Sequence, residues 1–268
     1  MSTPPNFDDA TTVTEVSSGD DPDVKTWSGY MTADWSIGQV PNGGYTSALV
    51  VRALSRHCGV VRPSSLTTHY YRPAIADAPV TITTTILRRG RSTVHGEASF
   101  EQDNKVRARS MAVFSDYPSD ELMLASPPPS IQPPEDCDAR DPMSQGFNMS
   151  LLETLDVRLD LGASGPKDRS GFDGWVRFRD ERANDELALA LFVDSFPPAI
   201  LRTSPGTGWV PTIELTTHIR AQAAAGWVQA QIVTDTVRGG QLIEDVRLWD
   251  SSGALVAQAR QLAMLMPK

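Results

Sequence analysis

Residues 43–58, GGYTSALVVRALSRHC, decide the architecture of this chain. After the two glycines, the segment from Thr46 to Cys58 contains neither proline nor glycine. Its apolar residues cover nearly the whole circumference of a helix, which is typical of a helix that is buried on most sides. We therefore predict a central helix from about Gly44 to Cys58.

Four segments rich in threonine, valine and isoleucine follow this helix, and each has the composition of a β-strand. They are residues 66–71, 79–89, 93–100 and 106–115. A buried helix followed by an antiparallel meander predicts an α+β unit in which the sheet wraps around the helix.

The second half of the chain repeats this order of elements. Strand-like residues 147–160 and 175–178 precede an apolar segment that predicts a helix from Asp185 to Ala199. Strands are then expected at residues 212–220, 227–237, 242–249 and 255–266. We expect the sheets of the two halves to join into one continuous or nearly continuous sheet.

An internal repeat supports a duplication. At an offset of 149 residues, 66–114 matches 215–263 without gaps and with ten identities, including Leu-Thr-Thr-His at 66–69 and 215–218. About three identities would arise by chance at typical residue frequencies. A coincidence between two β-rich segments that share threonine and alanine is the alternative, but the matched turn residues favour duplication.

Proline sets the expected boundary between the halves. Seven of the 20 prolines fall between Pro118 and Pro142, and prolines that dense disfavour sheets and helix interiors. We predict a disordered or extended N-terminus at 1–22, a first unit at 23–117, a proline-rich linker at 118–146 and a second unit at 147–268.

Composition excludes several classes of function. The net charge of -9 disfavours a nucleic-acid partner, because the mean field would repel phosphates. The N-terminus has neither the basic start nor the apolar run of a signal peptide, and no segment has the roughly 20 apolar residues of a membrane span. The two cysteines do not form a metal-ligand spacing. We expect a soluble cytoplasmic protein without a metal.

The order of these motifs resembles the double-hotdog acyl-CoA thioesterases of the acyl-CoA thioesterase II type and their thioesterase-like relatives. The resemblance extends from about Trp27 to Met266. The marks in the first half are Trp35, Gly38-Gln39, Asn42-Gly43-Gly44-Tyr45 and 66–73, LTTHYYRP. The marks in the second half are 174–177, GWVR, the apolar helix ending in Asp194 before Pro197-Pro198, 211–215, PTIEL, and Gln261.

This resemblance implies a tandem hotdog fold, in which each unit is an antiparallel sheet around a central helix. It also implies hydrolysis of acyl-CoA in lipid metabolism, with coenzyme A present only as part of the substrate and no separate cofactor. A homodimer is the oligomer that it suggests.

The catalytic residues implied by the resemblance are Asp194, Thr212 and Gln261, which would hold and activate the hydrolytic water. Desolvation beside the apolar segment would raise the pKa of Asp194 towards the range of a general base. A helix-capping or turn role for Asp194, and ordinary strand or surface roles for Thr212 and Gln261, are the alternatives.

The start of the first helix is the expected substrate-binding segment, at Gly43, Gly44 and Tyr45. Glycines allow a ligand to approach the backbone, and amides at a helix start favour a developing negative charge. The alternative is that the two glycines only turn the chain into the helix.

Two other functions remain open. An enoyl-CoA hydratase of the same fold would need an Asp and a His near the start of the central helix, but the first histidine after Asn42 is His57. A non-catalytic protein that binds acyl thioesters is the second alternative.

Overall fold

A computed structural model describes residues 6–18, 21–117, 124, 126–162, 170–205 and 208–266. Within these ranges the helices are α1 Phe7–Ala10, α2 Gly43–Cys58, α3 Leu151–Thr154 and α4 Glu186–Phe192, with 3-10 turns at Ala33–Trp35, Pro134–Asp136 and Ala199–Arg202. The strands of the first half are β1 Val13–Ser18, β2 Val24–Met31, β3 Ser36–Ile37, β4 Val40–Pro41, β5 Pro63–Tyr70, β6 Ala78–Arg89, β7 Val94–Gln102 and β8 Lys105–Phe114. The strands that follow are β9 Asp138–Ala139, β10 Leu155–Leu159, β11 Ser170–Phe178, β12 Thr212–Ile219, β13 Val228–Thr234, β14 Val237–Arg238, β15 Gln241–Trp249 and β16 Leu255–Met264.

One antiparallel sheet runs through both halves. Its order is β1-β2-β6-β7-β8-β5-β12-β16-β15-β13-β11-β10-β9, with β14 paired to β15. The six strands from β5 out to β1 are mirrored by the six from β12 out to β10, and β9 is an additional edge strand of the second half. The predictions of a tandem hotdog and of one continuous sheet are confirmed.

The two halves are related by a pseudo-twofold axis at the β5–β12 junction. Thr67 lies opposite Thr216, and their hydroxyl oxygens are 2.9 Å apart. These threonines are 149 residues apart, which is the offset of the sequence repeat. A residue that pairs with its own repeat equivalent must lie at the symmetry axis.

The ungapped repeat is wrong by one residue in the strands further from the axis. Ala112 pairs with Gly96 in the first half, and its equivalent Gln261 pairs with Glu244 in the second half. The offset between β7 and β15 is therefore 148 residues. The second unit has one more residue in this hairpin, because eight residues separate Leu248 from its partner Ala257 whereas seven separate the equivalent pair in the first unit.

Helix α2 occupies the core predicted for it, beginning at Gly43 and ending at Cys58. Asn42 caps its first turn by accepting a hydrogen bond from the Tyr45 amide, and Gly59 ends it in the left-handed conformation that glycine adopts without strain. The wide apolar surface of α2 packs against the sheet and against α4, so the helix is enclosed by both units.

Helix α4 is shorter than predicted. It ends at Phe192, and a turn containing Asp194 and Ser195 leads to the 3-10 turn Ala199–Arg202. Pro198 removes an amide donor, which explains why the helix does not continue to Ala199. Residues 147–160 also differ from the prediction, because α3 precedes the strand β10 there.

The N-terminal segment is more ordered than predicted. Phe7 lies in helix α1 and is fully buried, and β1 pairs with β2 at the sheet edge. The sequence patterns predicted neither β1 nor β2. Residues 1–5 and 19–20 of this expected N-terminus lie outside the described residues.

Part of the expected linker belongs to the second unit. Strand β9 pairs with β10, and Trp175, Gln229 and Trp249 donate side-chain hydrogen bonds to linker carbonyl oxygens. Residues 118–123 and 125 of the linker lie outside the described ranges. Among the helices of the described part of the chain, none is long and apolar enough to cross a membrane.

Candidate active site

A cleft of about 520 Å³ lies where the start of α2 meets the turn after α4, next to β12 and β16. Apolar side chains line much of it, including Ile37, Val40, Phe147, Phe196, Trp209 and Met266. The polar residues of the cleft include Asn42, Tyr70, Arg140, Asp194, Thr212, Glu244 and Gln261. The three residues predicted to be catalytic are thus brought to one cavity from three separate elements.

Asp194 joins the two helices at the cleft. Its Oδ2 accepts hydrogen bonds from the Gly44 amide at 2.9 Å and from Asn42 Nδ2 at 3.0 Å. Asn42 Nδ2 also donates to the Asp194 carbonyl at 2.8 Å, while its Oδ1 caps α2. The helix cap and the carboxylate are therefore held by the same side chain. Asp194 itself lies in a turn after α4 and does not cap that helix, since Asp185 does.

Burial raises the pKa of Asp194 from its ordinary value to about 6. The hydrogen bonds from the α2 start and the nearby Arg140 guanidinium oppose this shift, because both stabilise the ionised form. A carboxyl with a pKa near 6 is mostly ionised at neutral pH, and it is a stronger base than an exposed aspartate.

Thr212 and Gln261 form a hydrogen-bonded pair that lines the same cleft as this carboxylate. The Thr212 hydroxyl donates to Gln261 Oε1 at 2.7 Å. Gln261 Nε2 donates in turn to Glu244 Oε1 at 2.5 Å, and Glu244 Oε2 accepts from the Ala199 amide. The buried Glu244 carboxylate therefore links the Thr212–Gln261 pair to the backbone amide of Ala199 in the 3-10 turn.

Glu244 is a functional candidate that the sequence motifs did not indicate. It is only 4% exposed, and burial raises its pKa to about 7. A signal was present in the strand pattern, because Leu242, Val246 and Leu248 have the same parity as Glu244 and all face inwards. Strict alternation along β15 places this acid on the core face.

Gly44 has a different role from the one predicted, whereas substrate binding by Gly43 stays a prediction. The Gly44 amide is already bonded to Asp194 and does not face an open ligand site. A Cβ on Gly44 would lie 2.7 Å from the Ala190 carbonyl oxygen, and one on Gly43 would lie 2.9 Å from Asp194 Oδ2. These glycines allow α2 to approach α4 closely, which places Asp194. Gly43 also lines the cleft.

Tyr45 points away from the cleft, and its prediction as a substrate-binding residue is wrong. Its side chain is fully buried, and its hydroxyl donates to the Ala10 carbonyl at 2.8 Å. Its ring packs in a cluster with Phe7 and Trp35. The tyrosine at the cleft is instead Tyr70, whose hydroxyl donates to the Gly43 carbonyl at 2.9 Å.

Arg140 comes from the segment that was predicted to be a linker. It is 6% exposed, and burial lowers the pKa of its guanidinium to about 10. Its Nη1 donates to the Ser195 carbonyl at 2.7 Å, which braces the turn that carries Asp194. No sequence motif pointed to this residue.

The pseudo-twofold axis does not generate a second set of these side chains. The strand positions equivalent to Thr212, Gln261 and Glu244 hold Pro63, Ala112 and Gly96, respectively. A Cβ on Gly96 would lie 3.2 Å from Leu54 Cδ2, so a side chain of α2 occupies the equivalent space. The second unit alone supplies this set of strand side chains, while the first unit contributes the start of α2 to the same cleft.

Comparison with known proteins gives matches over most of the chain. The acyl-CoA thioesterase N-terminal domain matches residues 31–115, and the acyl-CoA thioesterase C-terminal domain matches residues 134–265. A thioesterase-like protein of Talaromyces wortmannii, TwmA, is 24% identical, with 94% of this chain and 91% of that protein covered.

Solved structures agree with these matches. A putative thioesterase II from Thermobifida fusca is 28% identical, with a TM-score of 0.86 and 99% of each chain covered. A hot dog fold protein of unknown function from Alicyclobacillus acidocaldarius is 24% identical, with a TM-score of 0.83 and 98% of each chain covered. With both domain matches in chain order and one tandem hotdog around them, this chain belongs to the acyl-CoA thioesterase family.

Proposed function

We propose that this protein hydrolyses acyl-CoA thioesters to a free acid and coenzyme A, with Asp194 as the general base for a water molecule. The observation that carries the proposal is that Asp194 and the Thr212–Gln261 pair line the same largely apolar cleft. Membership of a thioesterase family supports thioester hydrolysis as the reaction.

Thioester hydrolysis needs a positioned water, a base, and a local electrostatic environment that stabilises the developing oxyanion. A thioester carbonyl is already electrophilic, so a covalent protein nucleophile is not required. Asn42 Nδ2 and the Gly44 amide both donate to Asp194 Oδ2, which holds the carboxylate that would take the proton from the water. Thr212 and Gln261 would orient the same water.

The reaction then follows the ordinary course of acyl transfer. The water oxygen attacks the thioester carbon as its proton moves to Asp194, and the carbonyl oxygen becomes an oxyanion. The C–S bond of this tetrahedral intermediate breaks, the carbonyl reforms, and the coenzyme A thiolate takes up a proton. The first turn of the 16-residue helix α2 lines the cleft at Gly43 and Thr46. Although its Gly44 amide is bonded to Asp194, the positive end of the helix dipole would still favour the oxyanion.

The cleft also offers complementary surfaces for the two ends of the substrate. The apolar lining from Phe147, Phe196 and Trp209 suits an acyl chain. Arg72 and Arg107 line the same cleft, and their guanidinium groups suit the phosphates of coenzyme A. The negative net charge of the protein makes such local cations the expected anchors for an anionic substrate.

The hydratase alternative lacks its histidine. All four histidines lie in the described part of the chain, and none of them lines the cleft. His57, the first after the helix start, lies at the far end of α2 and bonds to Thr84 Oγ1 through Nδ1. A non-catalytic binding protein would not require the buried base and the hydrogen-bonded pair that the cleft retains.

The test is release of free thiol from a panel of acyl-CoA esters of different chain lengths. We expect the purified protein to release coenzyme A from at least one chain-length class in a protein-dependent manner. Binding without thiol release would support the non-catalytic alternative, and hydration of enoyl-CoA without thiol release would support the hydratase.

A further inference from the structure

We infer that Glu244 is a positioning residue, which fixes the side-chain amide of Gln261 in the single orientation that can hold the hydrolytic water. This inference rests on the proposed function and extends it to a residue that acts through Gln261. It is carried by the chain of hydrogen bonds Thr212–Gln261–Glu244–Ala199.

The side-chain amide of Gln261 has two possible orientations, related by exchange of its oxygen and nitrogen. The Thr212 hydroxyl can either donate or accept, so Thr212 alone cannot select between them. Glu244 can select, because an ionised carboxylate only accepts hydrogen bonds. It must therefore face Gln261 Nε2, and Gln261 Oε1 then faces the Thr212 hydroxyl, as observed at 2.7 Å.

The surroundings of Glu244 reinforce this selection. Its other oxygen accepts from the Ala199 amide, so both ends of the carboxylate are held by donors. Glu244 is 4% exposed and Gln261 is 7% exposed, which leaves little room for either side chain to rotate or for bulk water to replace the bond. The outcome is a Gln261 whose second amide hydrogen and second oxygen lone pair point in fixed directions within the cleft.

The proposal predicts the effect of an isosteric change. In Glu244→Gln the new amide can satisfy the Ala199 amide through its oxygen, but its NH2 group then faces Gln261. The Gln261 amide should turn over, with Oε1 towards the new donor and Nε2 towards Thr212. Every buried hydrogen-bonding group of this network keeps a partner in this arrangement, so the variant should fold. The reversed Gln261 amide would no longer orient the hydrolytic water.

The first test reports on the amide without any substrate. In the full-length protein labelled with 15N-glutamine, the Gln261 side-chain signals are assigned by their absence in Gln261→Ala. We expect Glu244→Gln to shift these signals strongly and to speed exchange of their protons with solvent. Unchanged Gln261 signals in the variant would overturn the proposal, whatever the enzymatic activity proves to be.

The second test is kinetic. With an acyl-CoA ester that the wild type hydrolyses, Glu244→Gln should lower kcat by about tenfold or more and leave KM within about twofold, because the geometry of the water changes rather than the substrate contacts. Added to Gln261→Ala, the same change should have almost no further effect, since there is no longer an amide to orient. A full and independent loss in the double variant would show that Glu244 acts in another way.

The matched control is Asp245→Asn, which removes the neighbouring carboxylate of the same strand. Asp245 faces the other side of β15 and pairs with Arg260 at 2.7 Å. At a pH above the Glu244 pKa of about 7, where Glu244 is ionised with or without the Asp245 charge, its substitution should leave both the Gln261 signals and kcat unchanged. If wild-type thiol release were absent, the proposed function would fail, and the NMR result would still decide whether Glu244 orients Gln261. If the wild type turns over and Glu244→Gln matches it, only the positioning role fails.

Discussion

Two buried carboxyl groups dominate the chemistry of the cleft at the scale of single residues. Asp194 has a pKa raised to about 6 and Glu244 has one raised to about 7, in both cases chiefly by burial. The charge of Asp194 further raises the pKa of Glu244, while Arg140 favours ionisation of Asp194. The proposed mechanism needs both groups in the ionised form.

We expect kcat/KM to rise with pH and to level off above the two carboxyl pKa values. The base accepts a proton only when Asp194 is ionised, so activity should fall as the pH drops through about 7 to 5. Because the two groups interact, the fall in kcat/KM at acidic pH reports apparent pKa values of the pair and not of either residue alone. A pH profile of kcat/KM from pH 5 to 9 tests this. A kcat/KM that stays constant between pH 7 and pH 5 would contradict it.

Thr212 and Gln261 should behave as one unit with Asp194. Thr212→Ala and Gln261→Ala should each reduce kcat less than loss of the base does, because each only orients the water. Combined with Asp194→Asn, either change should add little to the loss. Double-mutant kinetics on folded proteins test this coupling, and fully additive effects on the logarithm of kcat would show that the residues act separately.

The sequence predicted part of this site and missed part of it. Asp194, Thr212 and Gln261 were located by resemblance to a family, and the structure brings all three to one cleft. Arg140 and Tyr45 could not be placed correctly, because their positions depend on packing between distant segments. Local patterns do not report whether a helix-start tyrosine turns towards a cleft or towards a core.

At the scale of elements, the site depends on how closely two helices approach. Gly44 lets α2 lie against the carbonyl oxygens of Ala190 and Leu191, and the Gly44 amide then reaches Asp194. Sequence patterns identified α2 with nearly correct ends because the two opening glycines and the apolar segment without proline or glycine are local signals. They overextended α4, which ends at Phe192 before the turn that carries Asp194.

Gly44→Ala should separate the two helices. The new Cβ would lie 2.7 Å from the Ala190 carbonyl oxygen, so we expect a loss of about 1–3 kcal/mol in the free energy of unfolding and a severe loss of kcat. Urea unfolding and thiol-release assays measure the two effects.

Gly59→Ala is the control at the other end of the same helix. Gly59 has a φ of 73°, and a Cβ at this position would have no atom within 4 Å. Its substitution should therefore cost about 1–2 kcal/mol of conformational strain without moving Asp194. Equal losses of kcat in the two variants would show that lowered stability, and not helix approach, explains the result.

At the scale of the whole molecule, the chain is a duplicated fold with an asymmetric site. Thr67 and Thr216 mark the axis, yet Pro63 and Ala112 stand where the second unit has Thr212 and Gln261. The repeat was visible in the sequence, but the one-residue shift at β7 and β15 hid the fact that Glu244 corresponds to Gly96.

We therefore expect one acyl-CoA to bind per chain. Asp194→Asn should bind substrate without turning it over, which allows equilibrium titration calorimetry with an acyl-CoA ester that the wild type hydrolyses. The expected stoichiometry is one ligand per 29.1 kDa chain. Two equivalent ligands per chain would contradict the single set of cleft residues that the asymmetric repeat provides.

The most direct test of the account compares thiol release from acyl-CoA by the wild type and by Asp194→Asn. The substitution keeps the shape of the side chain and removes the base, so kcat should fall by about 100-fold or more while acyl-CoA binding is retained. Circular dichroism and thermal melting at pH 8 must show that the variant is folded. Wild-type turnover by a folded Asp194→Asn protein would contradict the account.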